Sequence, residues 1–275
     1  MSDKLHDFKI KIDNFKTKHI ELYSGLHKTL FGLLTGVINV AIFNPFDRAL
    51  YLSTKDHSTI FDLKYCKSPY QGVLNGIVQR TISYGLYYPM IDIINKKLKN
   101  PIMSMMATSA IIGVVTSPLS AIKLTNWNSD HSTKIISFAR QMYVKGGLFP
   151  FFRGTIVTLK RDLIFGATLG YFSYTYNTKK EFLQDAVFAT FATILSSPFN
   201  YLRVIKYNAP CDIHLPNHII LKDLINVVQK ECPDYNTMRK IIYTFHHKFN
   251  VGWGSLRVGL GMAMSRQLYE FFTKK

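Results

Sequence analysis

Five basic side chains stand inside stretches that are otherwise apolar: Arg80, Lys160, Arg161, Arg257 and Arg266. A cation facing lipid costs several kcal/mol, so such residues turn toward a polar interior or a partner group. Guanidinium groups there suit two-pronged capture of a carboxylate or phosphate. The bland alternative is snorkelling to the lipid headgroups or structural pairing. It weighs most on Lys160, which neighbours Arg161, so that only one of the two points squarely inward. The chemistry on offer is therefore anion capture. No Ser/His/Asp arrangement, phosphate-cradling glycine loop or metal-ligand cluster rises above chance, so neither chemical catalysis nor a cofactor is expected. Cys66, Cys211 and Cys232 are far apart with no C-x-x-C spacing, and are expected to be buried or incidental thiols. His246 and His247 are adjacent and point to different sides of a helix, so a solvated pair is expected rather than a metal site.

The elements that must carry these cations are long apolar windows. Residues 29–46, 101–122, 163–178 and 186–202 are free of charge. Windows shorter than the ~20 residues that cross a bilayer can be completed by polar ends or neighbouring protein. Residues 72–91 are interrupted by Arg80, and 251–272 by Arg257 and Arg266. Mean hydropathy is only +0.04, too polar for helices that face lipid all round but compatible with a bundle around a wet, charged cavity. A net charge of +17 implies anionic partners: nucleic acid, acidic lipid or small anions. Nucleic acid is disfavoured, because a soluble binder would cluster basic and aromatic residues on an exposed face. The first 25 residues lack the apolar core of a secretory signal, and Asp3, Asp7 and Asp13 argue against a transit peptide. An exposed amphipathic or flexible leader is expected there.

Internal repetition organises the windows. Three of them end in a proline followed two residues later by a polar one: "NPFDRAL", "SPLSAIK" and "SPFNYLR", with Pro45, Pro118 and Pro198. The tetrapeptide "DHST" recurs at 56–59 and 130–133, about a dozen residues past two of those prolines. A second element follows each: "YQG", "FFRG" and an eroded "KFN". With Gly72, Gly154 and Asn250 in register, Gln79, Arg161 and Arg257 fall at one equivalent position, and Asp92, Tyr174 and Glu270 at a later one. In the middle unit, Ile135, Ile136, Ala139, Met142 and Tyr143 predict a short amphipathic helix, with a glycine stop at Gly146-Gly147. Gly32 and Gly36 offer a G-x-x-x-G face for close helix approach.

With these motifs the chain resembles the mitochondrial carrier family. That family joins a P-x-[DE]-x-x-[KR] helix end to an aromatic-[KR]-G element, three times over. The resemblance runs from about Leu26 to the C-terminus, with departures: Leu50 stands where a base belongs, Ser120 and Asn200 where acids belong, and Lys145 in another acidic place. It implies an all-α membrane protein of six transmembrane helices, built from three two-helix repeats in a pseudo-threefold bundle with short matrix-side helices. The division would be a leader (1–25) and repeats at 26–100, 101–180 and 181–275, forming one integral domain. Pro45, Pro118 and Pro198 would kink the odd helices. Asp47 would pair with Lys123 in a matrix-side gate, Arg203 would meet Ser120, and Asn200 would meet Leu50. Arg80, Arg161, Arg257, Gln79 and Lys160 would line the substrate site.

The resemblance also implies cardiolipin, an anionic lipid, at the helix starts of Gly72 and Gly154, helped by Arg153. The expected activity is alternating-access transport or exchange of a small anionic or zwitterionic metabolite across the mitochondrial inner membrane, by a monomer. The pair Arg161-Asp162 resembles carriers of amino acids or carboxylates. Two alternatives stay open. A nucleotide carrier could stack a base on Tyr84, Tyr87 or Tyr88. A carrier-fold adaptor without transport would explain the eroded gate.

Overall fold

Proline, glycine and asparagine mark where the helices start and stop. The structure, a computed structural model, describes residues 2–56, 62, 65, 67–127, 135–176, 182–210 and 213–273, with side chains from Thr29 on except at Tyr88 and Thr273. Helix α1 (Ser2–Asp56) runs without a break from the leader through the first apolar window. Gly72, in the left-handed conformation (φ 69°), turns the chain into α2 (Val73–Leu98). Lys99, also left-handed, ends α2. Pro101 then opens α3 (Pro101–Trp127), where the Asn100 side chain accepts the free N–H groups of Ile102 and Met103. The remaining helices are α4 (Ile135–Gly146), α5 (Phe149–Phe152), α6 (Thr155–Thr175), α7 (Phe182–Asn208), α8 (Asn217–Glu231), α9 (Thr237–Tyr243) and α10 (Val251–Thr273). A π-helical turn, Thr244–Lys248, joins α9 to α10. No strand occurs among the described residues. The "DHST" echo, Cys66, Cys211 and the side chains of the leader and Tyr88 lie outside the described residues, apart from Asp56.

The six long helices close a ring in the order α1, α2, α3, α6, α7, α10 and back to α1. Small residues let neighbours approach. A Cβ on Gly32 would lie 2.6 Å from the Tyr84 carbonyl oxygen, and one on Gly36 would lie 2.8 Å from that of Arg80. The G-x-x-x-G face of α1 is thus used inside the chain, against α2. Pro45, Pro118 and Pro198 each sit inside a continuous helix. Proline deprives the carbonyl four residues earlier of its donor. For Pro198 that carbonyl, on Ile194, accepts the Ser197 hydroxyl at 2.7 Å instead.

The last turns of α1, α3 and α7 meet at one end of the ring. Tyr51 of α1 packs on Trp127 of α3 with ring centroids 5.4 Å apart, and its hydroxyl bonds Asn208 of α7. One contact recurs at this end three times. The residues just ahead of an even-placed helix grip the C-terminal turn of a helix from the adjacent unit. Gln71 donates to the Asn126 carbonyl at 3.2 Å. Arg153 donates to the carbonyls of Tyr207 and, at 2.8 Å, Pro210. Asn250 donates to the Ser53 and Thr54 hydroxyls, the latter at 2.9 Å. Removing the strongest latch, by Arg153→Gln, is expected to lower stability by about 1.5–3 kcal/mol, the worth of hydrogen bonds from a charged donor. Thermal unfolding in detergent reads it, and an unchanged Tm would refute the latch.

Two segments, Thr29–Asp56 within α1 and Pro101–Trp127 (α3), are long and apolar enough to cross a membrane by length and composition. The expectation of six apolar spans is not met on that criterion. Length is not the reason: even α6, with 21 residues, rises about 32 Å against a hydrocarbon core of about 30 Å. Polar composition, charges included, is the reason. Helix α2 carries Arg80, Asp92, Lys96 and Lys97, and α7 carries Asp185, Arg203 and Lys206.

Candidate functional site

All six ring helices contribute to one central cavity of about 310 Å³, at the lower end of the size range for small-molecule pockets. Helix α1 supplies Asp47, Leu50, Tyr51 and Thr54, α2 supplies Gln79, Arg80 and Tyr84, and α3 supplies Ser120, Lys123 and Trp127. Helix α6 adds Arg161, Asp162 and Phe165, α7 adds Thr193, Ser196, Asn200 and Arg203, and α10 adds Ser255, Arg257 and Met262. Helical spacing explains the convergence. Asp47 and Leu50 are three residues apart, as are Ser120 and Lys123, and Asn200 and Arg203, so each couple shares one face of its helix. The rest of the lining mixes serine and threonine hydroxyls with aromatic and aliphatic side chains and brings no further charge.

The expected ion pair between Asp47 and Lys123 does not form. Asp47 is held by Arg257, whose Nη2 donates to Oδ2 at 2.7 Å and whose Nε lies 2.5 Å from Oδ1. Arg257 is buried and well supported: Nη2 also reaches Asn39 Oδ1 at 3.3 Å, and the guanidinium lies 4.4 Å over the Phe43 ring. Its guanidinium thus reaches both carboxylate oxygens, one by the Nη2 hydrogen bond and the other by the ion-pair approach of Nε, which itself makes no hydrogen bond. Lys123, itself buried, sits instead over the Trp127 ring at 4.6 Å.

The other expected gate contacts are also replaced. Ser120 accepts from Gln79 Nε2 at 2.6 Å rather than meeting Arg203. Arg203 donates to Asn200 on its own helix at 3.0 Å. Leu50 and Asn200 share the cavity wall.

Arg161 is bound to its own neighbour, with Nε donating to Asp162 Oδ1 at 2.7 Å. Gly113 on α3 makes that possible: a Cβ there would fall 2.0 Å from Asp162 Oδ2, so the carboxylate occupies space that only glycine leaves open. Arg80 lines the cavity with no hydrogen bond or ion pair among the described residues. Lys160 is exposed on the outer face of α6, a helical step away from the cavity, and so leaves the expected substrate set. Arg266 pairs with Asp185 of α7 and, at 3.3 Å, with Glu270, away from the cavity lining.

The chain matches no known family model and no curated protein significantly. Site assignments therefore rest on the geometry and on the internal repeat.

The lipid-contact residues take structural places. A Cβ on Gly72 would lie 3.1 Å from the Trp127 ring, and one on Gly154 would lie 2.6 Å from the buried Tyr207 ring. Arg153 donates to the last carbonyls of α7 and its exit. Among the described residues no group of three or more histidine, cysteine or acidic side chains could hold a metal. Cys232 is a buried free thiol.

Sequence reasoning missed Asn39 and Gly113. Asn39, fully buried, donates to the Gly261 carbonyl and Ser265, tying α1 to α10 beneath Arg257. An asparagine inside an uncharged apolar window was its signal. Gly113 carried none, because nothing local distinguishes a glycine that accommodates a distant carboxylate.

Proposed function

We propose that the chain is a membrane transporter that moves a small anionic or zwitterionic metabolite through the central cavity by alternating access. One observation carries the reading: a closed ring of six helices surrounds a cavity to which every helix brings side chains, among them five cations and two carboxylates. A buried concentration of charge of this kind has no structural purpose that neutral packing would not serve better. The paired Arg161–Asp162 and Arg257–Asp47 suit a zwitterion, since each couple offers a cation to a carboxylate and a carboxylate to an amine.

In this reading the six helices span the mitochondrial inner membrane as three repeats, and the charged inner faces of α2, α6, α7 and α10 line water rather than lipid. The threefold recurrence of the latch supports the repeat arrangement. Anionic lipid would seat around the ring, the working unit would be a monomer, and no chemical step on the solute is involved. A second reading, an adaptor without transport, is favoured by one observation: among the described residues no ion pair joins Lys123 or Arg203 to another helix at the converging end.

Reconstitution separates them. Purified full-length chain in liposomes containing cardiolipin should take up labelled carboxylates or amino acids. Arg80→Gln, Arg161→Ala and Arg257→Ala should each cut uptake by about tenfold or more, the loss of one charged contact of about 1.4 kcal/mol or more to the moving solute. Uptake that survives all three changes refutes the site, and an inert chain favours the adaptor. Carbonate extraction is the earlier check, since release from membranes sinks both readings.

A further inference from the structure

The three proline segments divide their charges unevenly. Two residues after the proline stand Asp47, Ser120 and Asn200; five residues after it stand Leu50, Lys123 and Arg203. The first unit thus has an acid without a base, and the other two have a base without an acid. The structure does not repair this imbalance. Asp47 gives both oxygens to Arg257, and Asp162 is taken by Arg161. Arg80, Lys123 and Arg203 are left with no carboxylate among the described residues. Among the described residues, the buried Nε of Arg203 has no hydrogen-bond acceptor, and Lys123 lies over the face of Trp127. Five cations against two carboxylates leave an excess of three positive charges in one cavity. The three unmatched groups belong to α2, α3 and α7 and line the same cavity.

Like charges held together in a medium of reduced dielectric repel strongly, and an unpaired buried cation is costly. We infer that the ligand supplies the missing acids: a multivalent oxyanion whose charged groups bridge Arg80, Lys123 and Arg203. This inference rests on the transporter reading for what becomes of the ligand, and adds its charge class. The site is an anion trap spanning three helices, so occupancy also draws α3 and α7 toward α2. A cavity that is unfavourable when empty then closes around its own cargo. Two sources share this chemistry, a polycarboxylate and a polyphosphate.

The test uses full-length protein in detergent at fixed ionic strength, with thermal unfolding and direct titration as readouts. The probes are citrate, inorganic tripolyphosphate and, as the monovalent control, acetate. Wild type is expected to bind a trivalent anion at least tenfold more tightly than acetate. Citrate alone assigns the carboxylate source, tripolyphosphate alone the phosphate source, and both together the shared chemistry. The decisive variant is Ser120→Asp/Asn200→Asp, which restores the acids in place. It should unfold at a higher temperature without ligand and lose at least tenfold in trivalent-anion affinity. Lys123→Gln/Arg203→Gln should lose the same preference without gaining an acid. Equal trivalent affinity in wild type and the acid-restored variant overturns the inference, as does no preference over acetate. A wild type that binds trivalent anions yet takes up nothing in liposomes would sink the transport reading and leave this one standing. Uptake of a zwitterion with no trivalent preference would do the reverse.

Discussion

Asparagine in place of Asp47 is expected to cost about 3–5 kcal/mol of stability, the range for removing one partner of a buried ion pair. The side chain left behind decides the size. Arg257 is 5% exposed and its guanidinium faces Asp47, Asn39 and Phe43. Without the carboxylate it becomes a buried charge with one weak amide partner. The neighbouring cations Arg80 and Lys123 line the same cavity and give no relief. Thermal unfolding of the detergent-solubilised chain measures the loss. Adding Arg257→Gln should recover much of it, because the uncompensated charge disappears with the residue. Strictly additive losses in that double variant would refute the pair, as would an Asp47→Asn protein that unfolds with wild type.

Gly36→Leu is expected to be nearly as damaging, through geometry rather than charge. The nearest atoms to a Cβ at Gly36 are the carbonyl of Arg80 and the Cα of Thr81, all of them backbone. Backbone cannot rotate aside as a side chain can, so α2 must move as a body. Overpacking of this kind costs about 3 kcal/mol at the upper end of its usual range. The displaced segment includes Arg80 and, one residue before it, Gln79 with its bond to Ser120. Anion affinity should therefore fall together with Tm. Gly252→Leu is the control, since a Cβ there meets nothing within 4 Å. If Gly36→Leu unfolded no earlier than Gly252→Leu, the close approach of α1 and α2 would be wrong.

The helices themselves were legible from sequence, because apolar windows, prolines and glycines are local signals. The break at Gly72, the helix starting at Pro101 and the amphipathic α4 all fall where patterning puts them. Convergence on one cavity was also legible for Gln79, Arg161 and Arg257, since a shared register fixes a shared face. Partner choice was not. Asp47 can reach Lys123 or Arg257 by register alone, and rotation of the helices by a fraction of a turn selects between them. The same holds for Arg161, whose partner is its own neighbour because a distant glycine leaves room. The polar residues of α2 and α7, visible in sequence all along, keep those two helices from being apolar throughout.

The contact between Asn250 and the Ser53–Thr54 turn joins residues almost two hundred positions apart. The other two latches can form as soon as the next unit is made, but this one waits for the third unit. Until α10 arrives, the ring is an open arc whose inner wall, arginines included, is uncovered on one side. Assembly is therefore all-or-none at its final step: a chain truncated before α10 is a fragment with its charged side turned outward.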